Sequence, residues 1–226
     1  LNRILPNLDH VFAGWEQQIF GCQPALYWAK AMPWMIVSEL LDMGYVMYYP
    51  MIAIVIFYYF FCRYNEFERV SFVVLASFFL YYVAFIFVPV ACPTFYYHAV
   101  GVSEIAKGVF PAMGDYFNTH TDCLPTPGYE DGIFYQLVED AKAAGERPTA
   151  AFPSSHVSLS TVCMMLAWHT KNRKLFYILL PFYVFLCLAT VYIQAHYLVD
   201  AIAGLLTAIV VYFILMFCSK GMVSKE

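Results

Sequence analysis

Charge is what this chain most lacks. Only 12% of its 226 residues are Asp, Glu, Lys or Arg, about half of the roughly 25% that soluble domains carry. So few charges cannot cover a soluble surface, and a content of 62% hydrophobic residues, 19% of the chain being aromatic, exceeds what one soluble core would hold. A basic field is missing too. Twelve Lys and Arg against sixteen Asp and Glu leave a net charge of −4, which excludes a nucleic-acid-binding surface. The seven cysteines form no C-x-x-C pair and no Cys/His spacing of the kind that holds zinc. These absences leave an all-α, polytopic membrane bundle as the expected fold, of a length that suits one compact unit.

What the chain does have is long apolar runs. A helix needs about 20 mostly apolar residues to cross the hydrocarbon core. Five stretches qualify or nearly do: 35–62, with Pro50 expected to kink it, 70–92, a short one at 154–170, 174–195 and 197–218. Residues 1–34 mix polar side chains with Trp and Phe, and within them 7–32 reads as an interfacial helix. The stretch 93–153 reads as one long loop and 219–226 as a tail, so the membrane domain is expected over 35–218.

Lys and Arg placement gives a sidedness. Arg63 and Arg69 follow the first run, Lys171, Arg173 and Lys174 follow the third, and Lys220 and Lys225 lie in the tail. Alternating spans put all of these on one side, which is expected to be cytoplasmic. The acidic 93–153 loop and the turn at 195–197 then face the extracytoplasmic side.

Two short stretches on that outer side carry the chemistry. "PSSH" (153–156) opens the third run and "HYLVD" (196–200) opens the fifth. Pro153 is suited to a helix start, and Ser154 and Ser155 are natural caps. The free N–H groups of such a start, with the positive end of the helix dipole, favour an anion. His196 and Asp200 stand at i and i+4, where a helix would put the carboxylate against one ring nitrogen and leave the other nitrogen's lone pair outward. One nucleophilic imidazole, its orienting carboxylate, a phosphate cradle of Ser154 and Ser155, and His156 as general acid together suit phosphoryl transfer through a phosphohistidine. A single interfacial histidine is ordinarily structural, but ionisable pairs inside membrane helices are costly and tend to be functional. Two histidines and an aspartate could also hold zinc; the Pro-Ser cap before His156 fits an anion better than a cation, so no metal and no other cofactor is expected.

The combination resembles the second and third signatures of the type-2 phosphatidic acid phosphatase superfamily, PSGH and SR-x5-H-x3-D. Within it the chain is most similar to the branch of inositol phosphorylceramide synthase and sphingomyelin synthase, to which "FVPVACPTFYY" (87–97) also bears a likeness. The resemblance covers about residues 35–218. It implies a core of six helices, hence one upstream of Leu1, with His196 as nucleophile, Asp200 as its partner and His156 as acid on the leaving group. Two departures stand out. The first signature, K-x6-RP, is not matched, because "KAAGERP" (142–148) brings the lysine two residues too close. The Ser-Arg before the third signature is replaced by Ala189 and Thr190.

A phosphomonoester carries nearly two negative charges and is normally held by Lys and Arg forks. A chain that has lost most of that clamp is better matched to a phosphodiester. The expected activity is therefore transfer of a phospho-head group from a membrane phospholipid to a lipid alcohol such as ceramide, with Arg147 as the remaining phosphate contact. Lipid phosphate or prenyl pyrophosphate hydrolysis is the competing enzymatic reading, and a non-catalytic lipid-binding or transport bundle is the competing class. Glu39 and Asp42, on one face of the first run, are further candidates to support the histidines or a head group.

Overall fold

The computed structural model describes residues 5–145, 147–148 and 151–222. Among them the regular structure is entirely helical: α1 (Asp9–Phe20), α2 (Pro24–Ala31), α3 (Met35–Val46), α4 (Tyr48–Cys62), α5 (Tyr64–Phe87), α6 (Pro93–Val100), α7 (Val102–Ala106), α8 (Ile133–Gly145), α9 (Ser155–His169), α10 (Arg173–Tyr192) and α11 (Leu198–Cys218), with two short 3-10 turns. This is the expected helical membrane bundle. Helices α5, α10 and α11 are long and apolar enough to cross a bilayer, and α3 with α4 makes a fourth span if the bent pair is taken as one.

The boundaries correct several expectations. The 35–62 run is two helices bent by 47°, broken at Met47 rather than at Pro50. Pro50 sits in the first turn of α4, where its ring faces the carbonyl four residues back, and this dislodges the junction upstream of it. The second span starts at Tyr64 rather than 70, because its polar first turns find partners. Arg63 pairs with Glu66 and donates to the Thr170 carbonyl at 2.9 Å, and Arg69 donates to the Met216 carbonyl at 2.7 Å. It ends at Phe87, one residue before the Val88–Pro89 step that disfavours helix. The 93–153 stretch is not an open loop, since α6, α7 and α8 lie within it. With 15 residues, α9 spans only about 22 Å at 1.5 Å per residue, less than the hydrocarbon core.

The bundle is held by close helix approaches and a buried apolar centre. Met51, Val55 and Tyr59 of α4 meet Leu159 and Leu166 of α9 and Leu179 of α10. Gly44 lets α3 lie directly on α10, since a Cβ there would come within 2.5 Å of the Phe185 Cβ. A second cluster, around Phe12, Phe95, Tyr97 and Tyr197, joins α1 and α6 to the turn before α11. The stretch 7–32, expected as one interfacial helix, forms two helices, α1 and α2, and α1 has two unlike faces. Trp15, Ile19 and Phe20 are exposed, while Asp9, Phe12, Ala13 and Glu16 are buried.

Candidate active site

The starts of α9 and α11 meet at one end of the bundle. Ser154 caps α9, its hydroxyl accepting from the Val157 N–H at 3.3 Å. Its own N–H donates to the Asp200 carbonyl at 3.2 Å. One turn later the Ser158 hydroxyl shares its proton between the Ser154 carbonyl at 2.6 Å and the Gly204 carbonyl at 3.1 Å. Gly204 permits this approach, because a Cβ there would stand 2.7 Å from the Ser154 carbonyl oxygen. Two helix N-termini are thereby locked side by side, each carrying one histidine motif.

The lock brings the histidines into contact. His196 Nε2 lies 3.5 Å from His156 Nδ1, and His196 Nδ1 lies 3.8 Å from Asp200 Oδ2. His196 is not on the helix, as the i, i+4 reading assumed. It sits in the turn before α11, its N–H donating to the Thr190 carbonyl at 2.9 Å, and α11 begins two residues later. The carboxylate therefore faces the ring at ion-pair rather than hydrogen-bond distance, and Asp200 Oδ2 accepts from the Tyr197 N–H at 3.0 Å. Burial, reinforced by the neighbouring His156, pushes the His196 imidazole down to about 3. A ring so shifted is neutral at ordinary pH.

Sequence reasoning missed the two tyrosines that fix His156. Tyr45 stacks on its ring at 4.8 Å between centroids, and Tyr48 lies against it at 4.4 Å. Both come from the α3–α4 bend, which aims them at the start of α9. Their only signal in the sequence was membership of an aromatic run with an ordinary packing reading.

A cavity of about 610 Å³ opens beside the histidines. Its walls are aromatic on the α3, α4 and α5 side, including Tyr49, Tyr81 and Tyr82, and α8 covers it from the other side. Of the phosphate-binding candidates, Ser155 and Arg147 line it, whereas Ser154 is fully buried and committed to capping. Arg147 is exposed. Lys142 also reaches the cavity wall, but its ammonium donates to the Leu124 carbonyl, Thr126 Oγ1 and Glu139 Oε1 at 3.0, 3.0 and 3.1 Å.

Glu39 and Asp42 do not meet the histidines. Glu39 accepts from the Phe134 and Tyr135 N–H groups, capping α8, and Asp42 accepts from Ser38 at 3.3 Å. Both face the α8 docking surface because α3 packs on α10 and α8 together. Among the described residues no group of three His, Cys, Asp or Glu side chains is placed to hold a metal ion.

Two acids that the sequence did not single out lie behind the site. Glu16 Oε1 accepts from the Leu198 and Val199 N–H groups, and Asp9 accepts from the Tyr197 hydroxyl and from the Ala91 and Cys92 N–H groups. Burial pushes the Glu16 carboxyl up to about 7, against the pull of its Val199 and Leu198 donors. The available signal was the pairing of two acids two turns apart on the face of α1 that also carries Phe12 and Ala13.

A family model described as the PAP2 superfamily matches residues 12–214. No curated protein and no solved structure gave a match.

Proposed function

Because the chain belongs to the PAP2 superfamily, whose members act as phosphatases or phosphotransferases, we propose that it is a membrane phosphotransferase that moves a phospho-head group from a phospholipid to a lipid alcohol. The observation that carries this reading is the shortage of uncommitted cations around the cavity. Of the described residues lining it, Lys142 and Arg147 are the cations, and Lys142 is spent on three acceptors of its own. Arg147 alone is adequate for the single charge of a phosphodiester and weak for a monoester dianion. Thr190, standing where the superfamily signature has arginine, is fully buried and donates to the Cys187 carbonyl.

The chemistry proceeds in two displacements. His196 Nε2 attacks phosphorus while the bond to the glycerolipid oxygen breaks. His156, which burial alone pushes down to about 4, takes up a proton when the anionic phosphate stands beside it and gives that proton to the leaving oxygen. The His196 ring then carries the phospho-head group on Nε2 and a proton on Nδ1, and the Asp200 carboxylate beside Nδ1 offsets the resulting positive charge. An acceptor hydroxyl next attacks the phosphorus, its proton passes to His156, and the P–N bond breaks. The acceptor is a second lipid alcohol of the ceramide type, in keeping with the resemblance to sphingolipid synthases. No metal enters either step.

Sidedness follows the positive charges. Arg63, Arg69 and Arg173 lie at the end of the bundle where α4 leads into α5 and α9 into α10, opposite the histidines. That end is assigned to the cytoplasm, and the site to the extracytoplasmic leaflet.

Product analysis of detergent-purified protein tests the proposal. The substrates are phosphatidylinositol, other diester phospholipids and phosphatidic acid, each with and without ceramide, alongside His196→Ala and added EDTA. A phosphoceramide product with diacylglycerol, abolished by the substitution and indifferent to EDTA, is expected. Free phosphate from phosphatidic acid without ceramide would make the protein a phosphatase, and inhibition by EDTA would sink the metal-free mechanism. Lipid binding without turnover would leave a non-catalytic bundle.

A further inference from the structure

At the start of α11, two residues after His196, Asp200 reaches back to accept from the Tyr197 N–H at 3.0 Å. The next two N–H groups, of Leu198 and Val199, are satisfied from a distant part of the chain. Glu16 Oε1 accepts from Leu198 and, at 3.3 Å, from Val199. Asp9, on the same face of α1, accepts from the Tyr197 hydroxyl at 2.9 Å. Both carboxyl groups are fully buried, and Phe12 between them packs on Tyr197 and on Phe152 of the segment leading to α9. The residues immediately after His196 are therefore pinned by α1 at three consecutive positions.

We propose that Glu16 is a positioning residue for the reaction at His196, acting from α1 as a long-range cap of α11 and so fixing the turn that presents the nucleophile to His156 and Asp200. The working atom is Oε1, which accepts from two backbone donors, whereas Glu16 Oε2 has no partner among the described residues. An amide at this position keeps the same acceptor. Loss of the acceptor frees the Leu198 and Val199 N–H groups, at half-buried residues, and would draw the turn towards other partners. A small displacement of an attacking group costs up to about 100-fold in rate.

The proposal rests on His196 being the nucleophile, so its test has one readout in turnover and one that needs no turnover. Full-length Glu16→Gln and Glu16→Met are compared with the wild type in the transfer assay and by amide hydrogen exchange of the peptide covering 197–200. Glu16→Met, which lacks an acceptor, is expected to lower kcat by about 10- to 100-fold with KM unchanged and to speed exchange at Leu198 and Val199. Glu16→Gln is expected to restore both. Unchanged exchange in Glu16→Met would overturn the proposal whether or not the wild type turns over any substrate. So would Glu16→Gln behaving as badly as Glu16→Met, or a loss of melting temperature with kcat per folded molecule intact. If Glu16→Met does not fold, faster exchange at 198–199 in Glu16→Gln, which should keep wild-type protection, overturns it instead.

Discussion

His196 Nε2 and His156 Nδ1 face each other at 3.5 Å, so the proposed nucleophile and the proposed acid touch directly. In the tautomer with a proton on His196 Nδ1, facing Asp200, Nε2 accepts the proton of His156 Nδ1. A phosphorus atom can reach Nε2 only after this contact opens, which gives the two residues separable roles. His196→Ala is expected to abolish turnover and any acid-labile phosphoenzyme. His156→Ala should lose at least about 100-fold on a lipid alkoxide leaving group, at the low end of what general acid catalysis supplies. It should recover much of that with a nitrophenyl phosphodiester, whose leaving group needs no proton. Equal losses on both substrates would remove His156 from the acid role.

The stacking of Tyr45 and Tyr48 on His156 fixes the ring by surface contact. Tyr48 is buried, so Tyr48→Ala creates a void of the kind that costs about 3–5 kcal/mol and lets the imidazole rotate. Tyr48→Phe keeps the stack. The expected order of kcat is wild type, then Tyr48→Phe close behind, then Tyr48→Ala far below. If Tyr48→Phe falls as far as Tyr48→Ala, the hydroxyl matters and the stacking account is wrong.

Arg147 and Lys142 lie close together in sequence and on the same cavity wall, yet they should fail differently. Arg147→Ala removes a phosphate contact and is expected to raise KM for an anionic phospholipid by roughly tenfold, a hydrogen bond to a charged group being worth about 1.5–3 kcal/mol. Its melting temperature should hardly change. Lys142→Ala leaves Glu139 and the Leu124 carbonyl without their cation, so it should loosen α8 and lower the melting temperature first. Steady-state kinetics and thermal unfolding of the two variants check the contrast.

The membrane bundle was legible because apolar length and the Lys/Arg bias survive any tertiary detail. The meeting of His156, His196 and Asp200 was legible because both motifs open helices, and helix starts on one side of a bundle can converge. The exact pairing was not. Reading His196 onto the helix placed Asp200 one turn along from it, whereas the chain spends residues 193–197 on a turn in which Gln194 takes φ 64°. Glu39 and Asp42 looked like site residues from their depth along the run, but they serve α8, a helix that the acidic loop reading had hidden. Glu16 and Asp9 were invisible for a related reason. Their partners are backbone N–H groups about 180 and 80 residues away, and no local pattern encodes such contacts.

The low position of His196 has a consequence for stability. Its folded value is about 3 against an ordinary 6.5, so the unfolded chain binds the proton first as pH falls. The stability contributed by the neutral buried ring is complete above about 6.5 and is lost progressively between 6.5 and 3, at about 1.4 kcal/mol per unit. Thermal unfolding in detergent should therefore show a steeper decline over this window for the wild type than for His196→Asn, which has nothing to protonate there. Parallel curves would mean that the imidazole is hydrated or charged in the folded state.

Gly204 gives the sharpest test of the lock between the two motifs. A methyl group on it would stand 2.7 Å from the Ser154 carbonyl oxygen and 3.0 Å from Ser158 Oγ. Ser158 can rotate away, but the Ser154 carbonyl is backbone and also accepts from Ser158 Oγ at 2.6 Å. Gly204→Ala must therefore push the start of α9 off α11, at a cost of about 1–3 kcal/mol for overpacking. The displacement falls where His156 meets His196, so kcat should drop by at least about tenfold while the protein remains folded. Gly14→Ala is the matched control, because a Cβ there meets nothing within 4 Å among the described residues and the same gain in helix propensity should be harmless. If Gly204→Ala retained wild-type turnover, the separation of the two helix starts would not be what sets the histidine geometry.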